Sequence, residues 1–517
     1  MRIGIDIGGT NTHAVLVTDQ GKLRMASSSV TTPDIFTGVR SSVGNLLKKT
    51  SIQPNEIKGI FVGTTELLNA VYEERTLAKT ALIRIELQPS KIIPALNWPE
   101  SLRSFLKEIY ELKSNNRYNQ AGNEISCLKQ LKPLYKSIAE KKIDAVCIVG
   151  AYSPMYENEE MQVKNEINNR FPDISVTVSH QFGSMGFIER ENVALLNTLL
   201  SKVIRKILFN LASCFSSLSL QCPFWLTQSN GSLMTIEQAM KFPILTIASG
   251  AANSLKGASR LSGLKEMIAI DIGGSKIYVG HVANGELKEM TASTNLFGID
   301  ASLEMPEIIS LPFGTGNIPL IHDGKVEFLP LISNDIKKVG TAWGGDTWTV
   351  SDCFLKLFPK SFYDPDIDTE KLETLSESEC EKVVYDVTQK IKEAIDQLQN
   401  DEKELPIVLV GGGSPLFNQK LFGKYQQVIN PAGYPFSSAI GACFSSVSEV
   451  IDKVYWLNHR SKEEVVKEAA EACKQAVVKK GADPHSVKLS YIQEYPFEYL
   501  RGEILRVKVK AVGEQIL

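Results

Sequence analysis

Ile3-Gly4-Ile5-Asp6-Ile7-Gly8-Gly9-Thr10-Asn11-Thr12-His13-Ala14-Val15-Leu16-Val17 returns later in the same chain as Ile268-Ala269-Ile270-Asp271-Ile272-Gly273-Gly274-Ser275-Lys276-Ile277-Tyr278-Val279-Gly280-His281-Val282. Each copy is a β-branched run, an aspartate, a Gly-Gly turn with a hydroxyl residue, and a second apolar run. That pattern predicts a β-hairpin with a carboxylate at its mouth. Glycines let backbone N–H groups approach an anion closely and form a concave nest. The hydroxyl adds a donor for a phosphate oxygen, and the aspartate can hold a hydrated magnesium ion facing that phosphate. One such turn alone is commonly just a tight hairpin. An ordered repeat of the whole pattern points to nucleotide phosphates.

A third glycine cluster, Gly411-Gly412-Gly413-Ser414-Pro415, follows the apolar run 405–410. It predicts a strand ending on glycines, then a helix with Ser414 as N-cap and Pro415 at its first position. Such a start can lie along a nucleotide's sugar and base. The chain has no G-x-x-x-x-G-K-[ST], no G-x-G-x-x-G after a strand and no G-x-S-x-G, so the P-loop, dinucleotide and hydrolase-elbow sites are not supported.

Composition sets wider limits. The 517 residues carry 56 Lys+Arg and 59 Asp+Glu, a net charge of −3. This near-neutrality gives no electrostatic case for nucleic acid or an anionic membrane as partner. With 43% hydrophobic and 22% charged residues, the chain is globular rather than disordered or fibrous, and its length suggests about three folded units. Asp6 interrupts any signal-like start, and no apolar run approaches the ~20 residues of a membrane helix. A cytoplasmic protein is the expectation. The eight cysteines form no C-x-x-C and the six histidines no H-x-H or H-E-x-x-H, so free core thiols are expected and a histidine or thiolate metal centre is not.

The rest reads as alternating α/β. Residues 187–213 predict one helix with Leu196, Leu199, Leu200, Val203, Ile207 and Leu211 on its buried stripe. Ser376 and Glu379 predict a capping box before a helix burying Val384, Val387, Ile391 and Leu398, closed by an acidic turn at 400–402. Ser461 and Glu464 predict a second box, with the helix closed by Gly481 and flanked by apolar runs at 452–457 and 504–512. Residues 115–122 predict an exposed loop.

The paired hairpins and late glycine cluster resemble the actin/sugar-kinase/heat-shock-ATPase superfamily, in which two ribonuclease-H-like halves close on ATP. Within it, Gly63-Thr64-Thr65 with Asn69 and Arg75, Ser179-His180 with Gly183, Glu189-Arg190-Glu191-Asn192, Ser249-Gly250 with Asn253-Ser254, Gly344-Gly345-Asp346-Thr347, and Ala439-Ile440-Gly441-Ala442 resemble, in order, segments of the hydantoinase/oxoprolinase family in its short form. The resemblance implies an α/β fold with a duplicated actin-like ATPase core, divided as 1–180, 181–448 and a small α/β unit at 449–517. It implies ATP-dependent ring opening of a cyclic amide such as a hydantoin or 5-oxoproline, with ATP and a divalent metal such as Mg2+.

By this resemblance Asp6 and Asp271 are the catalytic, metal-holding residues. Gly8, Gly9, Thr10, Asn11, Gly273, Gly274 and Ser275 bracket the phosphates; Gly411, Gly412, Gly413 and Ser414 line the nucleoside. Thr64, Thr65, Glu189, Arg190 and Asn192 face the substrate, and a companion subunit or homo-oligomer is the expected assembly. Other readings of single residues stay open: strand-end hydrogen bonding for Thr64 and Thr65, dipole complementation for Glu189 and Glu191, a core histidine at His180, a solvated charge at Arg75. The second hairpin also departs from the family pattern G-G-T-T-T-D, carrying Lys276 and Tyr278, and Gly314-Thr315-Gly316-Asn317 stands where G-G-G-S is usual. Three functions therefore remain: a cyclic-amide hydrolase, a small-molecule kinase, and a nucleotide-binding companion subunit without turnover.

Overall fold

The computed structural model describes residues 1–517 except 33, 75, 118–119, 123–127, 141, 183–185, 290–293, 302, 304, 332–335, 363, 400–403, 424, 426, 458–459, 498–503 and 517. Arg75, Gly183 and the acidic turn at 400–402 lie outside the described residues.

Both repeats form the predicted hairpins. β1 (Arg2–Ile7) pairs antiparallel with β2 (Asn11–Val17), which pairs with β3 (Leu23–Val30); on its other side β1 pairs parallel with β4 (Gly59–Thr64). A separate parallel sheet holds β5 (Thr80–Glu86), β6 (Leu106–Lys113), β7 (Ala145–Gly150) and β8 (Ser175–Val178). The chain then returns to the first sheet with β9 (Phe224–Thr227) and β10 (Leu233–Met234). In the second half, β11 (Met267–Ile272) pairs antiparallel with β12 (Ile277–Ala283), β12 with Ile308–Leu311, and β11 parallel with Ile407–Val410, beside Val428–Ile429. The same five-strand order, three antiparallel and two parallel, thus occurs twice. The duplicated core is present.

Alternation along the strands explains why both hairpins read as unbroken apolar runs. Ile3, Ile5 and Ile7 enter one core, while Val15 and Val17 of the partner strand enter another across the sheet. Ile268, Ile270 and Ile272 likewise face one core, and Met267 and Ala269 the opposite one. A sheet covered on both faces needs apolar residues at successive positions. The covering layers between the two sheets are the helices Ser249–Ser262 and Ser437–Cys443, which pack on β11 and β1 respectively and on each other.

Residues 449–517 supply strands to the first sheet. Val447–Trp456 pairs with Ile504–Gly513, which pairs with Lys488–Pro496. The Ser461 capping box forms, with the Glu464 N–H donating to Ser461 Oγ at 3.1 Å and the Ser461 N–H donating back to the Glu464 carboxylate at 2.9 Å.

Three local expectations are corrected. Residues 187–213 form two helices, Phe187–Leu199 and Ser201–Ser217, joined at Leu200. The buried stripe runs through the joint, so periodicity could not locate it. Ser376 precedes the helix Glu377–Leu398 but makes no side-chain cap, its hydroxyl lying 3.2 Å from that of Ser378. Within 115–122, Asn116 is buried, and its N–H and amide reach Glu159 and Asn158.

Candidate active site

The two Gly-Gly turns have one geometry. The Gly8 N–H donates to the Asn11 carbonyl at 3.1 Å, and the Gly273 N–H donates to the Lys276 carbonyl at 3.1 Å. Among the described residues, the N–H groups of Gly9, Thr10, Gly274 and Ser275 have no acceptor, and a Cβ at Gly9 or Gly274 would meet only open space. Each turn therefore presents consecutive free donors, the construction of an anion nest.

The carboxylates stand behind these turns. Asp6 lies opposite His13 in the first hairpin and Asp271 opposite Tyr278 in the second. Desolvation raises the Asp6 carboxyl to about 7, partly offset by the Ser438 hydroxyl, and the nearby Asp271 adds repulsion. Desolvation raises Asp271 to about 6, against the Ser254 hydroxyl. The arrangement is reciprocal: a serine from the helix packed on each sheet supports the aspartate of that sheet. Ser254 and Ser437 also meet hydroxyl to hydroxyl at 2.8 Å, and Ser438 donates to the Gly250 carbonyl at 3.2 Å.

Asp6 Oδ1 is buried without a hydrogen-bond partner, a costly state for a carboxylate oxygen. A cation between the two aspartates would satisfy it. Two carboxylates are oxygen donors of the kind a hard divalent ion takes together with water; among the described residues no group of three His, Cys, Asp or Glu side chains gathers to hold a metal.

The proton balance gives a test. Both carboxyls bind protons more tightly folded than unfolded, so they favour folding at low pH and this contribution is lost as pH rises through about 6 to 7. Relative to a D6N/D271N double variant, the metal-free protein should lose Tm between about pH 5 and about pH 8. Added magnesium should restore more of it at the higher pH. Parallel Tm profiles for the two proteins would remove these carboxyls from the pH response.

The glycine cluster closes against Asp271. Gly411 has φ +86°, and a Cβ there would collide with Asp271 Oδ1. The Gly413 N–H donates to the Ile272 carbonyl at 2.9 Å. The predicted α-helix does not form. Ser414 instead begins the single 3-10 turn Ser414–Leu416, with Gly413 before it, because the chain turns again at once into the short helix Gln419–Phe422. Sequence reading also missed the seating of 314–317 on the second turn. The Thr315 and Gly316 N–H groups donate to the Gly273 and Gly274 carbonyls at 3.0 and 2.7 Å.

The expected substrate-side residues divide into two groups. Thr65 lies near Asp6: its N–H and hydroxyl donate to the Ile7 carbonyl at 3.1 and 3.2 Å, and both Thr65 and Asp6 Oδ1 lie beside Gly250. Thr64 is buried and exchanges bonds with Ser249. Glu189, in the first turn of its helix, is placed where the helix dipole favours an acid. Arg190 donates to the Gly150 carbonyl at 2.6 Å and to Ser179 at 3.0 Å. Asn192 accepts from Trp98 and donates to the Asp300 carbonyl, both at 2.8 Å. Neighbouring Glu191 receives a bidentate bond from buried Arg84. These partners knit the helix Phe187–Leu199 into the fold. His180 has the environment of a core histidine, with Nδ1 2.6 Å from buried Glu160. Desolvation pushes Glu160 up, but His180 and Ser179 outweigh it and hold its carboxyl below the usual range.

The described cysteines, 147, 214, 222, 353, 380, 443 and 473, are free thiols, all buried except half-buried Cys222. No helix among the described residues is long and apolar enough to cross a membrane.

Comparison with known proteins agrees in order along the chain. Residues 2–171 match the hydantoinase/oxoprolinase N-terminal region, and residues 190–451 match hydantoinase/oxoprolinase. Caprolactamase subunit alpha of Pseudomonas jessenii is 22% identical over 342 residues, 62% of this chain and 49% of that protein. An uncharacterised protein of Methanocaldococcus jannaschii is 22% identical over 432 residues, 77% of this chain and 62% of that protein. The chain thus spans less than two thirds of the length of either relative. Among solved structures, the ATP-dependent caprolactamase from Pseudomonas jessenii aligns with TM-score 0.79 and 16% identity, and a nucleotide-free acetone carboxylase with TM-score 0.73 and 15% identity. Each alignment covers 100% of this chain and 88% of the other. These likenesses are of fold.

Proposed function

The chain belongs to the hydantoinase/oxoprolinase family, and from that premise we propose that it uses ATP to open a cyclic amide such as a hydantoin, 5-oxoproline or a related lactam. One observation carries the reading: two nests of free backbone donors stand before two desolvated carboxylates, and one carboxylate oxygen has no partner. An unstrained amide resists water because its nitrogen is a poor leaving group and its carbonyl is weakly electrophilic. Moving the γ-phosphoryl group onto the carbonyl oxygen forms a P–O bond there, breaks the bond to ADP and leaves an activated carbon. Water then adds to that carbon, the ring C–N bond breaks to leave the free amine and an acyl phosphate, and a second water cleaves the acyl phosphate to the carboxylate and inorganic phosphate.

Little covalent chemistry falls to the protein in such a transfer; it positions the groups and balances their charge. Gly9, Thr10, Gly274 and Ser275 would hold phosphate oxygens through their N–H groups. Asp6 and Asp271 would hold a divalent metal such as Mg2+, whose charge offsets that of the phosphates. Thr65 would border the acceptor, and Gly411, Gly412, Gly413 and Ser414 would lie along the nucleoside. The name of the caprolactamase relative, a subunit alpha, supports a companion subunit for this chain as well.

The test is phosphate release from ATP measured against a panel of lactams, hydantoins and sugars, with and without a co-expressed companion subunit. Substrate-stimulated release with a ring-opened product is expected. A stable phospho-sugar would make the chain a kinase. Tight ATP binding with no turnover in any combination would leave a nucleotide-binding subunit.

A further inference from the structure

The two phosphate turns match in hydrogen bonding but differ in their fourth residue. Asn11 occupies it in the first turn and Lys276 in the second, and in both the backbone carbonyl at that position accepts the closing bond of the turn. The Lys276 side chain leaves its own half of the molecule. Its Nζ lies 4.6 Å from the ring centroid of Tyr72, at the end of the helix Glu66–Tyr72, which begins directly after Thr65. Lys276 thus spans from the second phosphate turn to the helix that follows Thr64 and Thr65.

Among the described residues no carboxylate pairs with this ammonium, and its contact is the Tyr72 ring. The half-buried ammonium rests on the ring of Tyr72, which is itself 61% exposed and has Phe297 as its other ring neighbour. The ammonium is thus carried by the residue that directly follows the free N–H groups of Gly274 and Ser275. A point charge with three donors at the end of a flexible stem is suited to a mobile phosphoryl group.

We propose that Lys276 is a further catalytic residue, moving from Tyr72 onto the terminal phosphoryl of bound ATP. There its ammonium donates to a γ-oxygen while the phosphorus parts from the β–γ bridging oxygen and joins the acceptor oxygen. ADP keeps the electron pair of the broken bond, and Lys276 keeps its proton throughout. In this chain a movable side-chain charge takes the place that a hydroxyl holds in the related hairpins. The assignment rests on the ATP reading above.

The experiment compares binding of ADP and of the β,γ-imido analogue of ATP by calorimetry, in the full chain with magnesium. K276M should weaken the analogue about tenfold or more, the effect of losing one charge-assisted hydrogen bond, and leave ADP and Tm unchanged. K276R should retain most of the preference, and Y72L should not reduce analogue affinity. Equal loss for both nucleotides, or no loss for either, would overturn the assignment. A wild-type chain that binds neither nucleotide would overturn the ATP reading itself, and this one with it.

Discussion

Replacing Asp271 by Asn will lower substrate-stimulated ATP turnover about a thousandfold, the scale on which loss of one preorganised electrostatic group slows charge-developing reactions. The substitution keeps the shape of the side chain and removes its charge. Asp6→Asn should do the same, because the two carboxylates share one cation site on the proposed mechanism. Stability should move in the opposite direction. Each carboxyl is raised by desolvation, so at neutral pH its ionised form costs folding energy that the amide does not. A variant at least as stable as the parent but without turnover separates chemistry from folding. Turnover within about twofold of the parent, in a protein that still binds ATP, would remove Asp271 from the reaction; that margin lies far inside the expected loss.

The carboxylates and turns were legible in the sequence because everything that makes them is local. A hairpin needs only its two apolar runs and its glycines, and each aspartate stands at a fixed offset from its turn. What supports them was not legible. Ser254 and Ser438 lie in stretches without an apolar stripe, because the helices Ser249–Ser262 and Ser437–Cys443 meet through small residues. Ser and Ala at such positions look like an ordinary polar segment. The segments around them were singled out for family likeness, yet nothing local ties Ser254 to Asp271 or Ser438 to Asp6. The bonds from 315–316 to the second turn depend on topology in the same way. Ser376 failed as a cap for a different reason. A second serine two residues on offers its hydroxyl a competing partner, and pattern alone does not rank the two.

Gly441→Ala will destabilise the fold by about 3 kcal/mol or more, as overpacking against backbone does where nothing can yield. Gly44→Ala will stabilise it by about 0.5–1 kcal/mol. Both glycines sit inside α-helices, so helix propensity favours alanine at each. The difference lies in what the new methyl meets. At Gly44 it meets only the Leu218 side chain at 3.8 Å, an ordinary contact. At Gly441 it collides with the Asn253 carbonyl on the facing helix, and Gly257 reciprocally faces the Ser437 carbonyl. The helices Ser249–Ser262 and Ser437–Cys443 must then separate, stretching the bond between Ser254 and Ser437. Each helix stays packed on its own sheet, so the same separation draws Asp6 and Asp271 apart; Gly441→Ala should therefore cost ATP turnover as well as Tm, and Gly44→Ala should leave turnover alone. Equal and small Tm shifts for the two variants would show that this crossing tolerates a methyl group, and that the spacing of the two aspartates does not depend on the close approach of the helices.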